Sequence, residues 1–390
     1  MHSEEEYKKI CPIVDAEIPA TVAAIANDPT FMHLAQQVLP SIPTEEIKQR
    51  LLSCKTFGDF QVKLTYPFLK DLLTKSALSF NANGVENIRE GWPYTMISNH
   101  RDIILDAAFL NVMTYENGMP FVEVAIGDNL LVYPWIETLV RINGCFLVRR
   151  DTSLRGLLAA SKLLSSYIHH NLSKKARGVW IAQREGRAKD SNDRTQESLI
   201  KMLAMGGSSR DLLSSIMELN IAPLSLSYEY DPCDYLKARE FQIKRDDPTA
   251  KKTQADDLLS MQVGVMGYKG NINFSFGRPI NAQLSKLKAQ ELDKSAQVEA
   301  ITKLIDHEIH LNYSIYPINY YAYDKLLGGT RFAEHYQGET ETKITSYFAD
   351  RLGRIELEQP DTVYLTQKLY EMYANPLINH LAALEDGQKG

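Results

Sequence analysis

Apolar positions in the first eighty residues recur at intervals of three and four. They do so in IVDAEIPATVAAIA, in FMHLAQQVL and in FQVKLTYPFLKDLL. That spacing is the signature of amphipathic helices. Ser41–Glu45 (SIPTE) adds a helix-start signal. The segment 60–80 is strongly one-sided, with Phe60, Val62, Leu64, Phe68, Leu69 and Leu72 on its apolar stripe. The pattern changes at 81–87, where NANG marks a turn.

Beyond it, short apolar runs alternate with helix-like stretches. The runs are Tyr94–Ser98, Phe121–Ile126, Cys145–Val148, Val179–Ala182 and Ile221–Tyr228; the stretches are 103–115, 129–141, 152–172 and 195–219. Such alternation implies a mostly parallel sheet with helices on its faces. Sites in these sheets form where strands end and helices begin.

Residues 231–260 are charged and irregular, which predicts an insertion or mobile loop. A late strand is predicted over Asn271–Phe276, ending in the turn GRP, with helix from about 284. The tail 310–390 is rich in tyrosine (NYSIYPINYYAYDKL) and reads as helical. The expected class is α/β: a mostly parallel central sheet flanked by helices, with helical N- and C-terminal additions. The expected divisions are a helical region 1–80, a catalytic domain 81–300 and a helical region 301–390.

With 390 residues, 44% of them hydrophobic and 24% charged, the chain supports a packed core. Cys11, Cys54, Cys145 and Cys233 are scattered without a CxxC pair, so neither a zinc site nor a disulfide framework is indicated, and a reducing compartment is expected. The acidic N-terminus lacks the apolar core of a signal peptide. No stretch approaches the roughly 18 apolar residues needed to span a bilayer. Any membrane is therefore met from the side. Charge is uneven: residues 141–201 hold thirteen Lys or Arg against five Asp or Glu, a local +8 in a chain of net −6. This stretch is a candidate anion-binding surface. No nucleic acid is expected as a partner.

The sharpest local feature is ISNHRDIILDAAFLNV. A strand ends at Ser98, Asn99 and His100 occupy the turn, and a helix follows. His100 thus stands beside the positive end of a helix. A histidine held by a carboxylate is a standard general base, because the carboxylate fixes the tautomer and stabilises the imidazolium. Asp106 and Asp102 both qualify as that partner. Taken alone, one His near one Asp is more often structural. No metal is expected, since no second His or Cys stands at ligand spacing and His169-His170 is a lone pair on a helix.

Two further strand exits carry cations. INGCFLVRRD (142–151) ends in Arg149-Arg150, and VWIAQREGRAKD (179–190) runs into a loop with Arg184, Glu185, Gly186, Arg187 and Lys189. Arginines there can grip a phosphate in bidentate fashion. Gly186 would let the backbone approach a ligand closely. Each arginine alone reads as a surface ion pair; two basic exits on one sheet edge with His100 shift that balance. The fourth block, IAPLSLSYEYDPCD, places Pro223 near a strand start, tolerable at an edge. There is no GxSxG elbow, which counts against a serine hydrolase.

In order and character these four blocks resemble the glycerolipid acyltransferase family, over about residues 80–280. That family includes glycerol-3-phosphate and lysophosphatidate acyltransferases. The resemblance implies that His100 is the base, with Asp106 its partner and Asp102 the alternative. It implies that Arg149, Glu185, Gly186 and Arg187, with Arg184 in the same loop, hold the acceptor. Five residues separate His100 from Asp106 where the family has four, and Gly186 and Arg187 are adjacent where the family has a residue between. No cofactor would be bound. The donor would be an acyl thioester, either acyl-CoA or acyl carrier protein, with the oxyanion met by backbone N–H groups at a helix start. The acceptor would be glycerol 3-phosphate or a lyso-lipid. The rivals are an amino-acid-containing lyso-lipid acceptor and an inactive lipid-binding relative. Peripheral attachment to the inner, cytoplasmic face of a membrane is expected, through the 60–75 helix or the run LLVYPW (130–135).

Overall fold

The computed structural model describes residues 2–40, 42–128, 131, 134–149 and 153–387. Leu130, Val132 and Tyr133 of LLVYPW, and Arg150, lie outside these residues.

Seven strands form one sheet in the order β1-β7-β6-β2-β5-β3-β4. They are β1 (Ala77–Asn83), β2 (Thr95–Ser98), β3 (Glu123–Gly127), β4 (Cys145–Val148), β5 (Val179–Ala182), β6 (Ile221–Tyr228) and β7 (Gly270–Phe276). Every neighbouring pair is parallel except β6 with β7. The middle strands are continuous buried runs, as strands covered on both faces must be; TMIS of β2 is buried throughout. Edge strand β1 has no buried position and mixes half-buried with exposed residues. The short strands at 95–98, 145–148, 179–182 and 221–228 are where the apolar runs placed them. Strand β1 is a departure: its polar sequence ALSFNAN hides it from a hydrophobicity reading.

β6 is another departure. It is central, not an edge strand. Pro223 is accommodated because the β6–β7 ladder begins only at Leu224. At Pro223 the carbonyl accepts from Gly277 N–H at 2.8 Å, on the side where the missing N–H would have pointed.

One sheet face packs on Leu105–Glu116 and Tyr66–Ser76, through Leu105, Phe109, Leu69 and Leu72. The other packs on Leu154–His170 and Lys294–Leu311, through Tyr167, Ile168, Ile301, Ile305 and Ile309. The latter helix runs through residue 300 and belongs to the sheet's own core, so the expected boundary at 300 falls inside an element. A separate apolar cluster joins the N-terminal helices, around Ile18, Val22, Ile47 and Phe60. Another joins the C-terminal helices Pro317–Leu327, Glu339–Gly353 and Thr362–Gly387, around Ile318, Phe348 and Leu369.

The expected loop at 231–260 is instead two helices, Asp234–Asp246 and Gln254–Met266. The periodicity reading failed here because the buried positions are polar or small: Lys237, Ala238 and Gln242 in the first helix, Ser260 and Gly264 in the second. The first is anchored by Ala238 to the C-terminal cluster. In the second, Gly264 lies against the Asp102 carboxylate with no room for a side chain.

The stripe expected to face a membrane at 60–75 is mostly core. Phe60, Leu69 and Leu72 are buried, and of the six named residues only Val62 is exposed. No helix among the described residues is long and apolar enough to cross a membrane.

Candidate active site

β2, β5 and β6 are neighbours and parallel, so their ends deliver three loops to one place. Ser98 pairs with Ala182 on one side and Leu224 on the other. The loop after β2 begins with Asn99, whose side chain continues the ladder. Its Nδ2 donates to Leu226 O at 2.9 Å and its Oδ1 accepts from Leu226 N–H at 2.8 Å. That pins the backbone one residue before His100.

His100 Nδ1 lies 2.7 Å from Asp106 Oδ2. The imidazole is 16% exposed and the carboxylate is fully buried. The helix does not start until Leu105, so 99–104 is free to curl and bring the two together. A buried carboxylate is tolerable only when its lone pairs are used. Asp106 Oδ2 also accepts from Arg101 N–H at 2.6 Å and Asp102 N–H at 3.1 Å; Oδ1 accepts from the Tyr228 hydroxyl at 2.9 Å. Asp106 sits in the first helical turn, where the macrodipole favours a negative charge. β6 runs four residues past its pairing with Ser98, and that overhang carries Tyr228 to Asp106. Burial, with the Asp106 charge beside it, raises the Tyr228 pKa well above the usual phenol value, which keeps it a donor.

Asp102 does different work. Its Oδ1 accepts from Ile104 N–H at 2.9 Å and Leu105 N–H at 2.8 Å, the geometry of a helix cap. Burial, then the nearby Asp106, raises its carboxyl above the ordinary range. The helix-start N–H groups of 101, 102, 104 and 105 are therefore spent on carboxylates. These four are not available to an oxyanion.

His100 is further bounded by the edge of Trp180, with ring centroids 5.8 Å apart. Trp180 is itself held by an Nε1–H bond to Ser98 Oγ at 2.9 Å. Next in the loop, buried Arg101 pairs with Asp193 at 2.7 Å, and Tyr313 donates to the same carboxylate oxygen at 2.6 Å. Tyr228, Trp180, Asp193 and Tyr313 were not singled out from sequence. Nothing in their spacing marks them, since each arrives from a different element.

The loop after β5 lies beside the His100 loop. Arg184 Nε and Arg187 Nη1 are buried atoms with no hydrogen-bond partner among the described residues. Arg187 acts electrostatically on Asp102 and Asp231. Orphaned guanidinium donors in a buried place are unusual, and they suit an anionic ligand. Glu185 N–H donates to Gln196 Oε1 at 2.8 Å. Gly186 is at φ +67°, with open space where a Cβ would be. Its glycine answers a left-handed backbone rather than a crowded approach within the protein.

The loop is tied down from far away. Asn375 Nδ2 donates to Asp190 O at 2.7 Å, and Arg194 Nη2 donates to Asn379 Oδ1 at 3.0 Å.

Arg149 is not brought to this cluster. β4 is the outer strand, three spacings from β2, roughly 14 Å. The Arg149 guanidinium is 45% exposed, donates to Lys9 O at 3.2 Å, and lies 4.0 Å from both Asp128 and Glu137. Among the described residues no group of three or more His, Cys, Asp or Glu is arranged to hold a metal.

A family model described as Acyltransferase matches residues 79–207. That span runs from β1 through the loop after β5, and contains His100, Asp106, Arg149 and Arg184–Arg187. Among solved structures, the chain is similar to the crystal structure of the 1-acyl-sn-glycerophosphate (LPA) acyltransferase PlsC from Thermotoga maritima. The identity is 12%, the match covers 73% of this chain and 92% of that one, and the TM-score is 0.33. No curated protein matches the sequence.

Proposed function

We propose that this chain, an acyltransferase by its 79–207 domain, moves a fatty acyl group from a thioester to the hydroxyl of a glycerol-phosphate or lyso-lipid acceptor, with His100 as the base. The observation that carries this reading is the 2.7 Å pairing of His100 Nδ1 with the buried Asp106 carboxylate. With Nδ1 committed to that carboxylate as a donor, the lone pair sits on Nε2.

His100 Nε2 takes the acceptor's hydroxyl proton as its oxygen bonds to the thioester carbonyl carbon. The tetrahedral intermediate then collapses, the C–S bond breaks, and the thiolate leaves with the proton from Nε2. An ester and a free thiol result, and the imidazole returns to its starting state. Asp106 stabilises the imidazolium that exists between the two transfers. Arg184 and Arg187 supply the unpaired donors for the acceptor's phosphate. Holding both substrates in line accounts for much of the acceleration.

Lipid access comes from the same edge of the sheet. The helix Leu154–His170 starts where β4 leaves the sheet, and its first turns expose Leu154, Leu157 and Leu158 at 87%, 48% and 47%. Ile104, four residues after the base, is also exposed. On this reading the membrane contact falls on these residues rather than on the 60–75 helix or the run 130–135.

Mass spectrometry of products formed by the purified protein from a panel of acceptors tests the reading. The panel holds glycerol 3-phosphate, lysophosphatidate and an amino-acid lyso-lipid. His100→Ala is expected to lose turnover by roughly 10²–10⁴-fold. Unchanged turnover would overturn the assignment of the base.

A further inference from the structure

The helices Asp234–Asp246 and Gln254–Met266 line, with the loop after β5, a concave hollow open to solvent. Its wall carries Arg187, Lys189, Lys237, Lys244, Lys251 and Lys252, together with Arg239. Seven cations thus face one hollow.

Their counter-charges are fewer. Glu240 is shared between Lys189 and Lys244, the latter at 3.1 Å. Asp231 pairs with Lys237, Asp257 with Lys252, and Asp256 with Arg239 at 3.8 Å. Arg187 also faces Asp102, so five carboxylates stand against the seven cations and leave a surplus of two. Arg187 keeps a buried N–H without a partner among the described residues. Burial holds the Lys189 ammonium below its ordinary pKa, and the neighbouring Lys244 and Lys252 push the same way. An anion entering the cavity would relieve that repulsion.

The row is long. Lys237 and Lys244 stand seven residues apart on one helix, roughly 10 Å. A single phosphate spans less than that. The inner end of the row touches the catalytic loop. Arg187 interacts with Asp102, and Gly264 of the second helix is packed against the same carboxylate. Buried Lys269 closes the end of that helix, donating to Val265 O at 3.0 Å and Gly267 O at 2.6 Å.

We infer that this hairpin cavity is a polyphosphate site that seats the nucleotide end of coenzyme A, so that the acyl donor is a coenzyme A thioester rather than a carrier-protein thioester. This rests on the acyl-transfer reading above. The nucleotide end carries about four negative charges at neutral pH, spread over a diphosphate and a 3′-phosphate. A row about 10 Å long suits phosphates spread in that way better than one monoester does. A carrier protein would instead need a convex, exposed basic face, and these cations line a hollow.

Titration calorimetry on the full-length protein tests the site without any turnover, so failure here is distinct from failure of the catalytic reading. The probe is adenosine 3′,5′-bisphosphate, run beside glycerol 3-phosphate and inorganic phosphate. The bisphosphate is expected to bind the native protein, and Lys244→Glu/Lys251→Glu is expected to weaken it at least tenfold. Glycerol 3-phosphate binding should be far less affected. No binding of the bisphosphate, equal binding by the variant, or equal competition from glycerol 3-phosphate overturns the proposal. The last outcome would give the cavity to the acceptor's phosphate. Should the variant fold poorly, acetylation of Lys251 and Lys252 in the native protein is read by mass spectrometry. Protection by the bisphosphate supports the site, and equal labelling with and without it refutes it.

Discussion

His100 and Asp106 meet at 2.7 Å although six positions separate them. On a continuous helix that interval would turn them to different sides. They meet because the chain from 99 to 104 is irregular and Asp102 starts the helix only at Leu105. One carboxylate shapes the turn, and the turn brings the other to the imidazole. The extra residue relative to the family pattern is absorbed in that turn.

The two carboxylates should therefore separate cleanly on substitution. Asp106→Asn is expected to lower kcat by roughly 10²–10⁴-fold, because the imidazole loses its orienting anion. Asp102→Asn keeps an oxygen for both N–H groups and should leave kcat within a few-fold. Asp102→Ala should cost about 1 kcal/mol of stability, the usual loss for a missing cap. Steady-state kinetics with both substrates saturating, alongside urea unfolding, measures this. Equal kinetic losses from both asparagine variants would refute the division of roles.

The arginines should divide in the same way. Arg187 has a buried, unpaired donor beside the base loop, and Arg149 is committed three strands away. Arg187→Ala is expected to raise KM for a phosphate-bearing acceptor by tenfold or more, since a hydrogen bond to a charged group contributes about 1.5–3 kcal/mol. Arg149→Ala should change it less than threefold. A larger effect at Arg149 would place the acceptor across the sheet edge.

Membrane contact should depend on Leu154 and Leu157. Leu154→Asp/Leu157→Asp is expected to abolish flotation with anionic liposomes while the thermal midpoint stays within a few degrees, because both side chains already face solvent. Val62→Asp, on the stripe that is mostly core, should float as the native protein does. The reverse pattern would return the membrane role to the N-terminal helices.

Acid sensitivity should trace in part to His310. Burial pushes its imidazole down to about 4, with Arg194, Arg101 and His307 adding like charge. Its Nε2–H donates to Asp193 O, 2.9 Å away. The folded pKa lies below the unfolded one, so protons favour the unfolded chain. The contribution is complete above about 6.5 and is lost as pH falls toward 4, in total on the order of 3 kcal/mol. Asp234 and Asp306, each raised to about 6 first by burial, act in the opposite sense between about 4 and 6. Comparing native protein with His310→Gln isolates the histidine: the variant's stability should fall less between pH 6.5 and 4. Parallel curves would show that His310 does not titrate on unfolding.

Much of this was legible in the residues. The strands that carry the site are uninterrupted apolar runs, and a run bounded by turn residues announces itself. His100 and the cations of 184–187 stand just past strand ends, where a parallel sheet gathers its loops, and Asp106 opens the helix that follows. What escaped was long-range. Tyr228 reaches Asp106 because β6 overhangs β2, and overhang is a property of register. The order of strands puts β3 and β5 between β2 and β4, which removes Arg149 from the cluster; sequence order does not carry that information. The two helices at 234–266 failed a periodicity test because the positions they bury are polar or small, such as Lys237, Gln242, Ser260 and Gly264.

The ties from Asn375 and Asn379 to the 190–194 loop reach across about 185 positions. During synthesis the matched span 79–207 emerges well before either asparagine does. At about 5–20 residues per second the loop waits roughly 10–40 seconds for that tether. A ribosome-bound chain can hold His100 beside Asp106 while the 190–194 segment is still unfastened. The loop is secured only when the far helix has been made.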